Sequence, residues 1–291
     1  HNELMSSLIL GNKIQIHTSE RGIPDLDTTK IVIIGVPENR NSIDYLGDEL
    51  NLNEIRKSLY NLYPGNWSTE IADLGNLILG ENVEQTYGRI ISMLSILFEK
   101  NIIPIIIGGS HDLLYANYRA YDSFKSTVNI VNIDSNFDIG DSAKPINNLS
   151  YLGKIILDQP HNLFNYSNLG YQTYHNSQEE IDLMENLYFE SYRLGEVCSN
   201  IRLSEPVMRD ADIVSVDLKS VRASELSSRQ KFSPNGFDGK EICALSRYAG
   251  ISNKVSSVGI YEYKSSNEDE ITEMLISQII CYCIEGVNCM V

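Results

Sequence analysis

The chain has 291 residues, 42% of them apolar, and a formal net charge of −16. This length supports one large α/β domain or two modest ones. The acidic charge repels phosphate backbones and argues against nucleic-acid binding. No apolar run reaches the roughly 18 residues that a membrane-spanning helix needs. The first residue is His1 rather than Met, so we expect a trimmed start and draw no inference about targeting from it.

The patterns of strands and helices alternate along the chain. The predicted strands cover 30–36, 70–74, 102–107, 128–133, 213–218 and 255–261, and the predicted helices cover 52–63, 83–100, 112–124, 179–198, 241–248 and 268–285. Residues 141–176, rich in Asn, Ser, Gly and Tyr, are expected to be irregular. The alternation predicts a three-layer α/β/α sandwich around a mainly parallel sheet. We see no linker or repeat, and expect an N-terminal extension over 1–29 and one domain over 30–291.

The cysteines show neither a CxxC pair nor the spacing of a zinc site. They are Cys198, Cys243, Cys281, Cys283 and Cys289. Residues 281 and 283 lie two apart on a predicted helix and therefore point to different faces. We expect free thiols in a reducing compartment, and hence a cytoplasmic protein.

Polar side chains follow three of the predicted strands. Residues 108–111 read Gly-Gly-Ser-His, residues 134–138 read Asp-Ser-Asn-Phe-Asp, and residues 215–219 read Ser-Val-Asp-Leu-Lys. The two glycines lack the spacing of a dinucleotide loop and predict a tight turn. Since functional groups of open α/β sheets gather at the carboxyl ends of the strands, the histidine and three aspartates are expected to meet there. Such a set suits a hard divalent cation such as manganese.

Taken in order, these motifs resemble those of the ureohydrolases: arginase, agmatinase and formimidoylglutamase. The three segments stand where that family has GGxH, DxHxD and SxDxD. Further matches are Gly35-Val36-Pro37, Ile55-Arg56, Asp73-Leu74-Gly75-Asn76, Pro234-Asn235-Gly236-Phe237 and Ile260-Tyr261-Glu262. The neighbourhoods of Asp112-Leu113 and Gly170-Tyr171-Gln172 are more similar to the formimidoylglutamase branch.

The resemblance implies an arginase-like fold, a homo-oligomer and metal-assisted hydrolysis, in which two manganese ions share a hydroxide. It assigns one metal to four residues that are all present: His111, Asp134, Asp138 and Asp217. It also makes Asp138 a candidate catalytic residue, and Glu262 a candidate catalytic residue that binds the cationic end of an amidine- or guanidine-like ligand.

The second metal of the family needs a histidine and an aspartate where this chain has Asn136 and Lys219. Residues two apart on a strand share a face, so Lys219 should lie beside Asp217. We hypothesise that its ammonium occupies the second-metal position, which leaves at most one manganese ion per chain. The alternative is a metal-free remnant in which Lys219 pairs with Asp217 and Asp134.

Two functions remain open. One is a binding or interaction role, with a small molecule or a protein partner and without two-metal hydrolysis, which Asn136 and Lys219 favour. The other is a single-metal hydrolase of linear amidine or formimino C–N bonds, which the intact ligands favour.

His161 and His175 either shuttle protons or lie at the surface. The tyrosines Tyr166, Tyr171 and Tyr174 either line the pocket or serve a subunit contact.

Overall fold

The structure is a computed structural model of the chain. It describes residues 8–44, 47, 49–124, 127–141, 143–227, 232–265 and 270–289. Within these residues, no helix is both long and apolar enough to cross a membrane. Residues 268 and 269 of the predicted closing helix lie outside the described residues.

A single sheet of nine strands runs through the molecule, and every neighbouring pair is parallel. The strands are β1 Gln15–Ile16, β2 Ile31–Val36, β3 Ile71–Asn76, β4 Ile103–Gly108, β5 Val128–Ile133, β6 Leu163–Tyr171, β7 Glu190–Arg193, β8 Ile213–Asp217 and β9 Ser257–Tyr261. Their spatial order is β1-β3-β2-β4-β9-β8-β5-β6-β7.

Helices connect the strands. They are α1 Asn53–Tyr60, α2 Val83–Glu99, α3 Leu113–Arg119, α4 Tyr151–Leu157, α5 Gln178–Asn186, α6 Leu194–Ser199, α7 Ser204–Met208, α8 Gly239–Ile251 and α9 Ile271–Asn288. Two of them begin with a capping box, which satisfies the first backbone N–H groups: Ser177 with Glu180 for α5, and Asp238 with Glu241 for α8.

Two apolar cores cover the two faces of the sheet. Alternate residues of β2, Ile31 and Ile33, pack in the core that contains α1, α8 and α9. The residues between them, Val32 and Ile34, pack in the core that contains α2, α3 and α4. Side chains of a strand alternate between faces, so a strand buried on both sides is apolar throughout. The predicted three-layer α/β/α sandwich is confirmed, and among the described strands the sheet is wholly parallel.

The prediction of an irregular segment over 141–176 is wrong, because this segment contains α4 and the long strand β6. Polar residues in the middle of β6 obscured the pattern. Asn168, for example, is fully buried and pairs in register with Asn132 of β5. Its side-chain amide donates to the backbone carbonyl of Asn136, so one of its polar groups is satisfied inside the protein.

The helix predicted over 179–198 is also wrong in its second half. The chain forms α5, then the edge strand β7, and only then α6. At the opposite edge, Gln15 and Ile16 form β1 and pair with Ala72 and Asp73 of β3. Part of the predicted N-terminal extension therefore joins the sheet.

Candidate metal centre

Four neighbouring strands deliver the predicted site to one edge of the sheet. His111 follows β4, Glu262 follows β9, Asp217 ends β8, and Asp134 follows β5. These strands are contiguous in the order β4-β9-β8-β5. The carboxyl ends of parallel strands meet at the same edge, so residues far apart in sequence converge there.

The glycine turn before His111 requires residues without a side chain. A Cβ on Gly109 would lie 2.3 Å from the carbonyl oxygen of Glu38, and one on Gly108 would lie 2.8 Å from the ring of Tyr261. Only glycine allows this close approach, which supports the predicted tight turn.

The imidazole of His111 faces three carboxylates. Its Nδ1 lies 2.9 Å from Asp217 Oδ2, 3.4 Å from Asp134 Oδ2 and 3.6 Å from Asp138 Oδ2. One potential ligand atom from each of the four residues lies within 4.8 Å of the others, and all four residues are buried. The structure therefore brings together the four residues that the sequence analysis assigned to one metal.

Backbone N–H groups orient two of these aspartates in the same way. The N–H of Asn136 donates to Asp134 Oδ1 at 2.9 Å, and the N–H of Lys219 donates to Asp217 Oδ1 at 2.6 Å. In each case the donor lies two residues after the aspartate. The Oδ2 atoms of both aspartates are left to face the imidazole.

Asp138 provides the test of whether the cluster fits a cation. Its Oδ2 is buried and has no hydrogen-bond partner among the described residues, although a buried carboxylate oxygen needs one. Its backbone φ is +54°, in the left-handed region, which is sparsely populated even for aspartate. An unpartnered oxygen beside three other oxygen and nitrogen donors fits a divalent metal ion.

The charges of the cluster are strongly coupled. Burial raises the pKa of Asp134 to about 6, and the nearby charge of Asp138 adds to this shift. Burial alone lowers the pKa of His111, but the carboxylate of Asp217 and the nearby carboxylates of Asp134 and Asp138 raise it well above its ordinary value. The cluster thus favours a positive charge at its centre, either a proton on His111 or a bound cation.

Lys219 reaches the cluster by a different route from the predicted one. The strand β8 ends at Asp217, and residues Leu218–Ser220 form a 3-10 turn, so Lys219 does not continue a strand face. Its Nζ nevertheless lies 3.3 Å from Glu262 Oε2 and 3.9 Å from Asp217 Oδ2. The alternative prediction paired Lys219 with both Asp217 and Asp134. The second partner is wrong, because Lys219 lies beside Glu262 instead of Asp134.

Glu262 is held by several donors. Its Oε1 accepts from the backbone N–H of His111 at 2.8 Å and from Asn148 Nδ2 at 3.1 Å, while Oε2 faces Lys219. The residue is 2% exposed and has a φ of +65°. Non-glycine residues in this region are uncommon and cluster at functional sites.

The remaining predicted residues lie around the centre. The side chain of Asn136 donates to the carbonyl of His175 at 3.1 Å, which ties the loop after β5 to the loop after β6. His161 and His175 are both exposed. Tyr166 is buried and accepts a hydrogen bond from Asn132, Tyr171 stacks on Phe137, and Tyr174 is 60% exposed.

Several residues that support the site had no role predicted from the sequence. Ser215 Oγ lies 2.7 Å from His111 Nε2. The ring centroids of Tyr151 and Tyr261 lie 4.5 and 5.1 Å from the centroid of the imidazole. Asn148 binds Glu262. Ser215 could have been found, because it lies two residues before Asp217 on β8 and shares its face.

Comparison with known proteins identifies the family of the chain. The model of the arginase family matches residues 29–285. A formimidoylglutamase of Halalkalibacterium halodurans is 22% identical over 282 residues, covering 87% of this chain and 86% of its own. A Trypanosoma cruzi formiminoglutamase solved with Mn²⁺ superposes with a TM-score of 0.81 at 16% identity, covering 91% of this chain and 95% of its own. A Bacillus subtilis formimidoylglutamase gives 0.81 at 19% identity, covering 98% and 91%.

The chain has the fold of the ureohydrolases, and it belongs to the arginase family. Its sequence is similar to that of a formimidoylglutamase at 22% identity. The predicted homo-oligomer and cytoplasmic location stay predictions.

Proposed function

We propose that this arginase-family protein holds one divalent metal ion and serves a binding role in place of two-metal hydrolysis. The proposed ligands are His111, Asp134, Asp138 and Asp217. Manganese is the proposed ion, since carboxylates suit it and a relative of the same fold was solved with Mn²⁺.

The orientation of the aspartates carries this proposal. The backbone N–H groups of Asn136 and Lys219 hold Asp134 and Asp217 in place. Any residue other than proline supplies a backbone N–H. The side chains at these two positions can therefore differ from the family's histidine and aspartate while the first set of ligands stays oriented.

The position of Lys219 supports a limit of one ion. Its ammonium lies 3.9 Å from Asp217 Oδ2. Burial alone lowers the pKa of Lys219, but the carboxylates of Glu262 and Asp217 raise it above its ordinary value, so the ammonium stays charged. A second divalent ion beside this charge would be repelled.

The pairing of Glu262 supports a role other than the family's hydrolysis. By resemblance, Glu262 would bind the cationic end of an amidine or guanidine. Here its carboxylate already accepts from His111 and Asn148 and faces Lys219. A cationic substrate would have to displace an ammonium that belongs to the protein itself.

Restoring both family residues tests the assignment of Lys219 to the second-metal position. We expect the double variant Asn136→His, Lys219→Asp to bind one more manganese ion per chain than the parent, as measured by elemental analysis after dialysis. The matched control is Asn253→His, Lys254→Asp, which introduces the same residue types at an exposed loop. If the double variant binds no more metal than the parent and this control, the assignment is wrong.

A single-metal hydrolase of linear amidine or formimino C–N bonds is the second candidate, because all four ligands of one metal are present and converge. A divalent ion bound there would lower the pKa of a water molecule. The test is turnover of formimidoylglutamate, agmatine and arginine with excess manganese. Product that forms with the parent and disappears in Asp134→Ala would support the hydrolase and contradict the non-hydrolytic role.

A further inference from the structure

Lys219 brings a buried ammonium with unused donors to the metal centre. Its Nζ is buried and makes no hydrogen bond with the described residues. Two carboxylate oxygens lie near it, Glu262 Oε2 at 3.3 Å and Asp217 Oδ2 at 3.9 Å, but neither contact has the geometry of a hydrogen bond. An ammonium carries three N–H donors, and burying them without an acceptor is costly. A ligand that offers an acceptor to Lys219 would therefore be stabilised here.

Glu262 is fixed as the counter-ion of this ammonium. Its Oε1 accepts from the backbone N–H of His111 at 2.8 Å and from Asn148 Nδ2 at 3.1 Å. Asn148 is itself fully buried, and its Oδ1 accepts from the backbone N–H of Ile43 at 3.0 Å. The carboxylate of Glu262 cannot turn toward a ligand without breaking these bonds. The group that is left to meet a ligand at this point is the ammonium of Lys219.

The charges of the centre restrict the ligand further. The negative charges belong to the carboxylates of Asp134, Asp138, Asp217 and Glu262. A divalent ion and Lys219 together would supply three positive charges against these four. A cationic ligand would have to lie beside the ammonium, which repels it, and an anionic ligand would add to the excess of negative charge. A neutral group that accepts a hydrogen bond avoids both costs.

We infer that this centre binds a neutral carbonyl compound, an amide or a urea, whose oxygen accepts a hydrogen bond from Lys219. The inference rests on the proposed single-ion centre, and it makes Lys219 the residue that selects the ligand by charge. A carbonyl oxygen has two lone pairs, and carbonyl oxygens are also suitable ligands for manganese. An amidinium of the same shape offers no acceptor, so its N–H groups would face the N–H groups of Lys219.

Three probes of the same shape and different charge test this inference by isothermal titration calorimetry on the manganese-loaded protein. Acetamide is neutral, acetamidinium is a cation and acetate is an anion. We expect acetamide to bind at least about tenfold more tightly than acetamidinium, and more tightly than acetate, because only acetamide pairs with Lys219 without adding charge. If acetamidinium or acetate binds as tightly as acetamide, or if acetamide does not bind, the inference is wrong.

The manganese content of the same samples separates this inference from the proposed function. About one ion per chain together with a preference for acetamidinium would overturn the inference and leave the single-ion centre in place. A sample that holds no manganese and still prefers acetamide would contradict the single-ion centre alone.

Substitutions of Lys219 test its role in selecting the ligand. Lys219→Met removes the ammonium and leaves the carboxylate of Glu262 to a cationic ligand, so acetamidinium should bind about tenfold more tightly than acetamide. Lys219→Arg keeps a positive charge and should keep the order of the parent. The matched control is Lys30→Met, an exposed lysine that directly precedes β2 at the opposite edge of the sheet. The order of the parent in Lys219→Met, or a reversed order in Lys219→Arg, would overturn the inference.

Discussion

The carboxylate of Asp134 is held at both of its oxygens. Its Oδ1 accepts from the backbone N–H of Asn136, and its Oδ2 accepts from Asn132 Nδ2 at 3.3 Å. Asn132 is fully buried and also lies 3.0 Å from the hydroxyls of Tyr151 and Tyr166. Groups that hold a metal ligand in this way fix its orientation and set the affinity for the metal.

Replacing Asn132 with leucine should weaken manganese binding by about tenfold or more, because Asp134 loses the donor to the oxygen that faces the centre. Leucine is similar in size, so the change removes a hydrogen bond with little loss of packing. Titration calorimetry with Mn²⁺ measures the effect. The control is Asn165→Leu on β6, whose side chain bonds to the backbone of Tyr166. Affinity equal to that of the parent would show that Asn132 does not position the ligand.

The proposed metal ligands could be predicted from the sequence, but most of the groups that orient them could not. His111, Asp134 and Asp217 stand at or shortly after the ends of mostly apolar strands, and that position brings them to one edge. Because Asn132 lies within β5, residue spacing predicts which face of the sheet its side chain occupies. It does not predict the contacts with Tyr166 of β6 and Tyr151 of α4. The partner of Lys219 was equally hidden, because it depends on how the turn after β8 approaches Glu262.

At the scale of elements, one buried ion pair joins α1 to β3. Arg56 Nε donates to Asp73 Oδ2 at 2.9 Å, and Tyr60 donates to the same oxygen at 2.7 Å. The side chain of Arg56 is 9% exposed and that of Asp73 is fully buried. Removing one partner of a buried pair leaves the other charge without compensation.

Arg56→Leu should therefore lower the free energy of unfolding by roughly 3–5 kcal/mol. Urea denaturation of the metal-free protein measures this change. The control is Arg209→Gln, which removes an exposed pair with Glu205 and should cost less than about 1 kcal/mol. Similar losses in both variants would contradict a structural role for the buried pair.

Sequence patterns predicted some elements far better than others. The strands β2, β4, β5 and β8 are mostly apolar, since helices cover both faces of the sheet. The polar residues of β6 and the short exposed strand β7 gave no such pattern. Burial of Asn168 in a strand depends on a partner in another part of the chain, which local periodicity does not contain.

At the scale of the whole molecule, the resemblance to the ureohydrolases predicts a homo-oligomer. Light scattering after size-exclusion chromatography should then give a mass that is a multiple of 32.8 kDa. A mass of one chain at all protein concentrations would contradict this prediction, and it would leave the metal centre unaffected, because all four proposed ligands come from one chain.

The central claim concerns one metal ion in a centre assembled from three strand ends. Elemental analysis of protein purified without chelator, soaked in manganese and dialysed tests it most directly. We expect about one tightly held ion per chain in the parent and none in Asp134→Ala. No metal in the parent, or the same content in Asp134→Ala, would contradict the claim, and Lys219 with a protonated His111 would then be the counter-ions of the aspartates.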